Sequence, residues 1–303
     1  MKKLIQKVKR FFNIGYHSQL LKEQLIYEIR NDWMINKALT CNDSGITHEV
    51  LCEHEIIVSL TTYGKRLYDV ASTIESIMQG SMKPNRIILW LQEDMRNAIL
   101  PIALQRQQNR GLEIAYYKDI RSYKKLLPTL KKYPEATIIT IDDDVIYTYD
   151  LVEKLVNMHK IHPLQIIANR IHRMILDKNG MPIEYMNWDL CATPTDSSPL
   201  NFYTGVGGVL YPPHSLDNEV FNEKVFMDIC KFADDIWFKA MALKKGTQVL
   251  KCYTHSKQGQ DYVVNPNVQD IGLLNINTGS KGLNDKQLKA VFEHYNLWNK
   301  LHS

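Results

Sequence analysis

From residue 55 onward two kinds of apolar pattern alternate along the chain. EIIVSLTT (55–62), RIILWL (86–91), LEIAYY (112–117) and TIITI (137–141) are short runs dominated by apolar and β-branched residues. Such runs suit strands that are buried on both faces of a sheet. Between the first two, Tyr68 to Gln79 places Val70, Ala71, Ile74, Ile77 and Met78 at helical spacing, with Gly80 positioned as a C-terminal cap. Strand and helix at this pitch predict an α/β fold, a mostly parallel central sheet flanked by helices. After Pro163 the pattern loosens. QIIA (165–168) and GVLY (208–211) read as strands with a long polar loop between them, KFADDIWFKAMALKKG (231–246) as a helix, and QVLKCY (248–253) as a late strand. HKIH (159–162) reads as a helix end. Residues 256–285 are rich in Gly, Asn and Ser and predict a mobile loop, and Lys286 to Leu301 predicts a closing helix.

The first 50 residues differ from the rest and predict a helical extension, 1–50, ahead of a main domain, 51–303. Leu4, Ile5, Val8, Phe11 and Phe12 share one helical face, with Lys2, Lys3, Lys7, Lys9 and Arg10 around it. Gln19 to Leu39 forms a second amphipathic stretch. The first has the pattern of a helix lying in a membrane surface, so residues 1–14 predict a peripheral contact with the cytoplasmic face of a membrane. Packing on the main domain or on a second subunit accounts for it equally well. The basic start lacks the continuous apolar core and cleavage site of a signal peptide, and the sequence has no apolar run near the ~20 residues of a bilayer span.

Of the 303 residues, 45% are hydrophobic and 23% charged, the balance of a globular protein. A net charge of +4, without aromatics interleaved among basic clusters, argues against nucleic acid as a partner. Five scattered cysteines with no C-x-x-C spacing make a disulfide framework or zinc site a poor expectation, and fit a reducing cytoplasm.

Ligands of open α/β sheets bind beyond the carboxyl ends of the strands. The segments there read TTYGKR (61–66), QED (92–94) and DDD (142–144). Three adjacent carboxylates repel, and a cation relieves that cost. Hard divalent ions such as Mn²⁺ or Mg²⁺ suit carboxylates and bridge to substrate phosphates. Alternate residues of an extended segment point the same way, so Asp142 and Asp144 can face one ion. A solvated acidic turn, with Asp150 as a second helix cap, is the competing reading. Asp234 and Asp235 open the 231–246 helix, where they either cap it or supply a carboxylate that orients sugar hydroxyls or takes a proton. YTGVGGVLYPP (203–213) carries Gly205, Gly207 and Gly208, which let backbone approach a ligand or simply make a tight turn. Arg66, Lys124, Lys125, Arg170 and Arg173 are candidate partners for a diphosphate, Arg170 foremost because it ends an apolar strand.

Taken in order, SLTTYGKR, RSYKKLLPTLKKYPEATIITIDDDVIY, YTGVGGVLYPP and ADDIWFKAMAL resemble bacterial glycosyltransferases of the GT-A fold, a family many of whose members belong to capsule or lipopolysaccharide synthesis. More distantly the layout is similar to exostosin-type transferases. The resemblance covers roughly residues 54–298. It implies a nucleotide-sugar donor, a UDP-sugar foremost, and a glycan or lipid-linked glycan acceptor. It implies a D-x-D pair in Asp142 and Asp144, with Asp144 the more direct ligand of Mn²⁺ or Mg²⁺. Thr61, Thr62, Tyr63 and Arg66 would border the nucleoside, and Lys125, with Asp143 and Arg170, would lie near the diphosphate. Asp235 would be the catalytic or sugar-orienting carboxylate beside Asp234, Trp188 would stack on a sugar ring, and His255 would add a metal ligand. A sugar nucleotidyltransferase and a non-catalytic sugar-binding protein are the competing classes. The first usually has a Gly- and Lys/Arg-rich loop after the first strand, which SLTTYGKR barely offers. The second predicts missing acidic groups, and all are present.

Overall fold

The structure, a computed structural model, describes residues 2–256, 261–271 and 282–302, with side chains from residue 17 onward except 269–271. Its centre is a seven-stranded sheet. The β-branched runs form β1 (Ile56–Thr61), β2 (Arg86–Gln92), β3 (Leu112–Tyr117) and β4 (Thr137–Thr140), all mutually parallel, in the spatial order β4, β1, β2, β3. The α/β class with a mostly parallel sheet is therefore the observed one.

Period-two alternation sends successive side chains of these strands to opposite faces, and both faces are dry. Ile57, Ile88, Trp90 and Ile138 belong to one core. Ile56, Val58, Leu60, Ile87, Leu89 and Ile139 belong to the other. The second core is roofed by α2 (Val70–Met78), α3 (Ile102–Gln108) and α5 (Leu151–Ile161), which present Ile74, Leu104 and Leu155. The first is roofed by α4 (Leu127–Lys132), α6 (Glu223–Ile229), α7 (Asp234–Lys245) and the closing helix α8 (Leu283–His294), through Leu127, Phe226, Trp237, Phe238 and Phe292. Gly246 ends α7 with φ +88, a left-handed cap that a side chain would strain.

One strand runs against the others. β6 (Ile166–Ala168) and β11 (Val249–Lys251) are parallel to each other, and β10 (Val209–Tyr211) lies between β6 and β4, antiparallel to both. Its first residue, Val209, therefore pairs with Thr140 and Ala168 at the carboxyl ends of its neighbours. The glycine turn before β10 is delivered to the same end of the sheet as the acidic run.

Two small sheets wall that end. β7 (Ile171–Arg173), β8 (Asp189–Ala192) and β9 (Asn201–Tyr203) form one. β5 (Val145–Tyr147) pairs antiparallel with β12 (Tyr262–Val264) to form the other. β12 lies inside the segment expected to be a loop. It is anchored by a buried ion pair between Lys154 and Asp261 at 2.9 Å, and Asp261 also accepts the backbone N–H groups of His255 and Ser256. Residues 257–260 and 272–281 of that expectation lie outside the described residues.

The two amphipathic stretches at the start form one helix, α1 (Lys2–Thr40), since Gly15 weakens a helix without ending it. Its second half docks on the main domain, where Tyr27 and Ala38 are buried. The side chains of residues 2–16, which carry the expected membrane face, lie outside the described ones. Among the described residues no helix is long and apolar enough to cross a membrane.

Candidate active site

A cleft of about 630 Å³ opens at the carboxyl end of the sheet. Thr61, Thr62, Tyr63, Arg66, Lys125, Asp142, Asp143, Asp144, Arg170, Asp234 and Asp235 all line it, so residues scattered over 175 positions meet in one place.

The acidic run does not continue β4 as an extended segment. It turns tightly between β4 and β5, so the expected alternation is replaced by a division of partners. Asp143 and Asp144 share Arg66, whose Nη1 donates to Asp143 Oδ1 at 2.8 Å and whose Nη2 lies 3.2 Å from Asp144 Oδ2. Burial pushes the Asp143 carboxyl up to about 6 even with Arg66 opposing it. Asp142 faces away, toward Lys125. Its own N–H donates to the Tyr147 hydroxyl at 3.0 Å, and that hydroxyl donates to the Val206 carbonyl at 3.0 Å.

Lys125 is the hub. Its buried ammonium lies 2.8 Å from Asp142 Oδ1 and 3.0 Å from Asp234 Oδ2. Three acidic groups, Asp142, Asp234 and Asp235, hold it in its charged form well above the ordinary lysine value, against the opposing effect of burial. Asp234 also accepts from Ser122 Oγ at 2.8 Å. The residue at the N-cap of α7 is Ala233, and neither aspartate caps the helix from that position. Both instead reach across the cleft. Asp235 takes the Gly205 N–H on both oxygens, at 3.0 and 3.1 Å. Burial and the neighbouring Asp234 charge raise its pKa, with Lys125 opposing. Gly205 itself fills the space between these groups. A Cβ there would collide with the Lys125 ammonium and come within 3.1 Å of Asp235 Oδ1 and 3.3 Å of Asp142 Oδ1.

The remaining expected residues divide. Gly207 packs against Arg170, where a Cβ would stand 2.9 Å from the Arg170 nitrogen, and Gly208, at φ +89, faces Leu151. Trp188 is not in the cleft: it is 4% exposed, packs on Tyr185 and Phe202, and donates to the Ile183 carbonyl at 2.8 Å. Its neighbour Tyr185 lines the cleft in its place. His255 is engaged elsewhere, with Nε2 2.6 Å from Asp150 Oδ2. Asp150, a helix cap in the competing reading, stands at the N-cap of α5, but its side chain makes no capping bond. Arg173 bonds Asn201 and Asp196, outside the lining.

Asp119, Arg121, Ser122, Phe202, Thr204 and Tyr262 join the site without having been expected. The first three directly follow β3, so the rule that ligands bind past strand ends reaches them once applied to the third strand. Tyr262 had no sequence signal, since a three-residue strand in a polar segment shows no periodicity.

Among the described residues no group of three or more His, Cys, Asp and Glu side chains converges as a metal cage. An Mg²⁺-type ion needs only one or two carboxylates when substrate phosphates and water complete its shell. Asp142 and Asp144 are carboxylates of that kind and both line the cleft, with the Asp142 side chain 28% exposed.

No family model matches the chain, and no curated protein does. Among solved structures it is similar to residues 1–349 of S. aureus TarS, with a TM-score of 0.46 and 12% identity, over 80% of this chain and 72% of that one. Against the same fragment in complex with UDP the TM-score is 0.43, with the same identity and coverage.

Proposed function

We propose that the chain is a glycosyltransferase of GT-A type, moving a sugar from a nucleotide-sugar donor, a UDP-sugar foremost, to a glycan acceptor of the kind found in bacterial surface polysaccharides. The observation that carries this reading is the Lys125 cluster. One buried ammonium holds Asp142, from the acidic run, and Asp234, from α7, while the adjacent Asp235 is fixed by the Gly205 N–H. A phosphate-handling centre and a proton-accepting carboxylate thereby stand side by side.

Thr61, Thr62 and Tyr63, which line the cleft, would border the nucleoside. Asp142 and Asp144 would hold Mn²⁺ or Mg²⁺, which supplies positive charge to the donor diphosphate. Arg66 fixes the acidic run in place, and Lys125, beside Asp142, would offset charge that develops on the leaving diphosphate. Asp235 accepts the proton of the attacking hydroxyl. Its raised pKa suits that task, because a base works best when its pKa lies near the working pH. The helix of residues 1–14 would rest on an anionic membrane surface, where a lipid-linked acceptor is found.

The test is a thermal-shift panel of UDP, GDP and CMP sugars with Mn²⁺, against CTP and UTP with Mg²⁺. Ligands stabilise the native state by mass action, so a UDP-sugar with Mn²⁺ should raise Tm most. A larger response to a nucleoside triphosphate would favour a nucleotidyltransferase. Transfer should stop in EDTA and return with Mn²⁺, and Asp144→Ala should lose donor binding along with turnover. Full activity in EDTA would end the metal reading.

A further inference from the structure

The lining of the cleft is unevenly charged. Arg66 and Lys125 each touch two carboxylates. Lys124 lies 3.9 Å from Asp119. Arg121 is exposed to water and lies over the Phe232 ring. Arg170 differs from all of these. It is partly buried, and its described polar contacts are uncharged groups, the Cys191 sulfur at 3.3 Å from Nε and the Thr204 hydroxyl at 3.2 Å from Nη1. Among the described residues no carboxylate stands within ion-pair distance of it.

The position is also built. Thr204 N–H donates to the Arg170 carbonyl at 3.2 Å, and Asn169 is clamped to Gly207 and Gly208 on both its backbone and its side chain. Gly207 leaves the room that the arginine backbone occupies. The cleft lining that Arg170 joins also includes Tyr185, Phe202, Thr204 and Tyr262, none of them acidic or basic. Thr204, which the guanidinium contacts, is followed by Gly205, whose N–H holds Asp235. Arg170 thus stands on the Asp235 side of the cleft, where the attacking hydroxyl must sit. A guanidinium drawn from water with no counter-charge is an unfinished ion pair, and its planar fork matches a carboxylate or phosphate.

We propose that Arg170, with Tyr185 and Tyr262, forms an acceptor subsite for an anionic group, so that the acceptor carries a phosphate or carboxylate close to the hydroxyl that is glycosylated. This rests on the glycosyltransferase reading for the word acceptor, while the anion site itself does not.

The test is binding measured by ligand-observed NMR with UDP and diamagnetic Mg²⁺ held at saturation, so that the phosphate sites of the donor are filled. The probes are methyl glucuronide, glucose 6-phosphate and uncharged methyl glucoside. Both charged probes should bind the wild-type protein about tenfold or more tighter than methyl glucoside, the scale of one charge-assisted contact. Arg170→Gln should erase that preference. Arg170→Lys, which keeps the charge and loses the fork, should retain part of it. UDP affinity should stay within about threefold in both variants, since a residue outside the donor site contributes little to it. A wild-type protein with no preference for the charged probes overturns the proposal. So does a loss of UDP affinity of about tenfold in Arg170→Gln, which would give Arg170 to the donor diphosphate. If no nucleotide sugar is ever turned over, the glycosyltransferase reading fails, and an Arg170-dependent preference still supports the anion site.

Discussion

Replacing Gly205 with alanine adds one methyl group at the point where the Lys125, Asp142 and Asp235 side chains converge. Gly205 lies outside the left-handed region, so its backbone accepts a side chain without strain. The cost comes from contact alone. The new Cβ would collide with the Lys125 ammonium, which must retreat by about 1 Å to reach ordinary van der Waals distance. That retreat works against the 2.8 and 3.0 Å ion pairs to Asp142 and Asp234. Because the colliding atom is the end of a flexible side chain, the fold should survive with a loss of ~1–3 kcal/mol, the usual cost of overpacking. Activity should suffer more, since a misplacement of ~1 Å in a catalytic constellation costs on the order of 10²-fold. The assay is kcat/KM for transfer on purified variant, with urea unfolding for stability. Near wild-type kcat/KM in a normally folded Gly205→Ala would mean that Lys125 and its carboxylates need not sit where they do, and the cluster would lose its claim to be the reacting centre.

Asp235→Asn should lower kcat by ~10²–10⁴-fold, the contribution of a general base; a change under about threefold would leave Asp235 only its bond to Gly205. The same variant has a stability signature. Because the folded pKa of Asp235 is raised above its ordinary value of 3.8, the native state binds the proton more tightly than the unfolded chain, and wild-type stability falls as pH rises from that value toward the folded pKa. Asp235→Asn should flatten that decline, seen as a smaller loss of Tm between pH 5 and pH 8; an unchanged pH profile would show that Asp235 ionises at no cost. His255→Ala should leave the Mn²⁺ concentration for half-maximal rate within about threefold, because the ring is committed to Asp150, whereas a shift of about tenfold or more is the mark of a disturbed metal shell. Deleting residues 1–14 should abolish flotation with anionic vesicles while leaving the fold intact, since Tyr27 and Ala38, the buried residues of α1 among those whose side chains are described, lie beyond the deletion. If the truncated chain still floats, or unfolds, the membrane role is lost.

The sheet was legible because its strands are apolar on both faces. β1 to β4 fall within a residue or so of the runs that announced them, Asp142 to Asp144 were found as charges at the end of such a run, and Asp234 and Asp235 as carboxylates opening a helix. What escaped was direction and partner choice. Nothing in GVLY indicates that β10 runs antiparallel, because a short apolar run reads the same both ways. Asp235 could be read as a helix cap or as a working carboxylate, since only the fold brings Gly205 to it from 30 positions away. Trp188 carried the composition of a sugar platform, yet its indole N–H found a backbone carbonyl and its ring found Tyr185 and Phe202. Burial of an aromatic depends on neighbours from other parts of the chain, and no local pattern encodes them.

The reversed strand has a consequence for how the molecule assembles. Without β10 the sheet falls into two pieces, β4–β1–β2–β3 and β6–β11, because neither β4 nor β6 has another partner on that side. β10 joins β4, some 70 residues earlier, to β6, some 40 residues earlier, contacts of long sequence separation that form late and slowly. The turn that positions Asp235 leads directly into it. Closure of the sheet and completion of the cleft are thus a single folding event, and the amides of Val209 to Tyr211 should exchange hydrogen only when the whole domain opens. A chain stalled before that event would hold Asp142 and Asp234 on unjoined fragments, with no cleft between them.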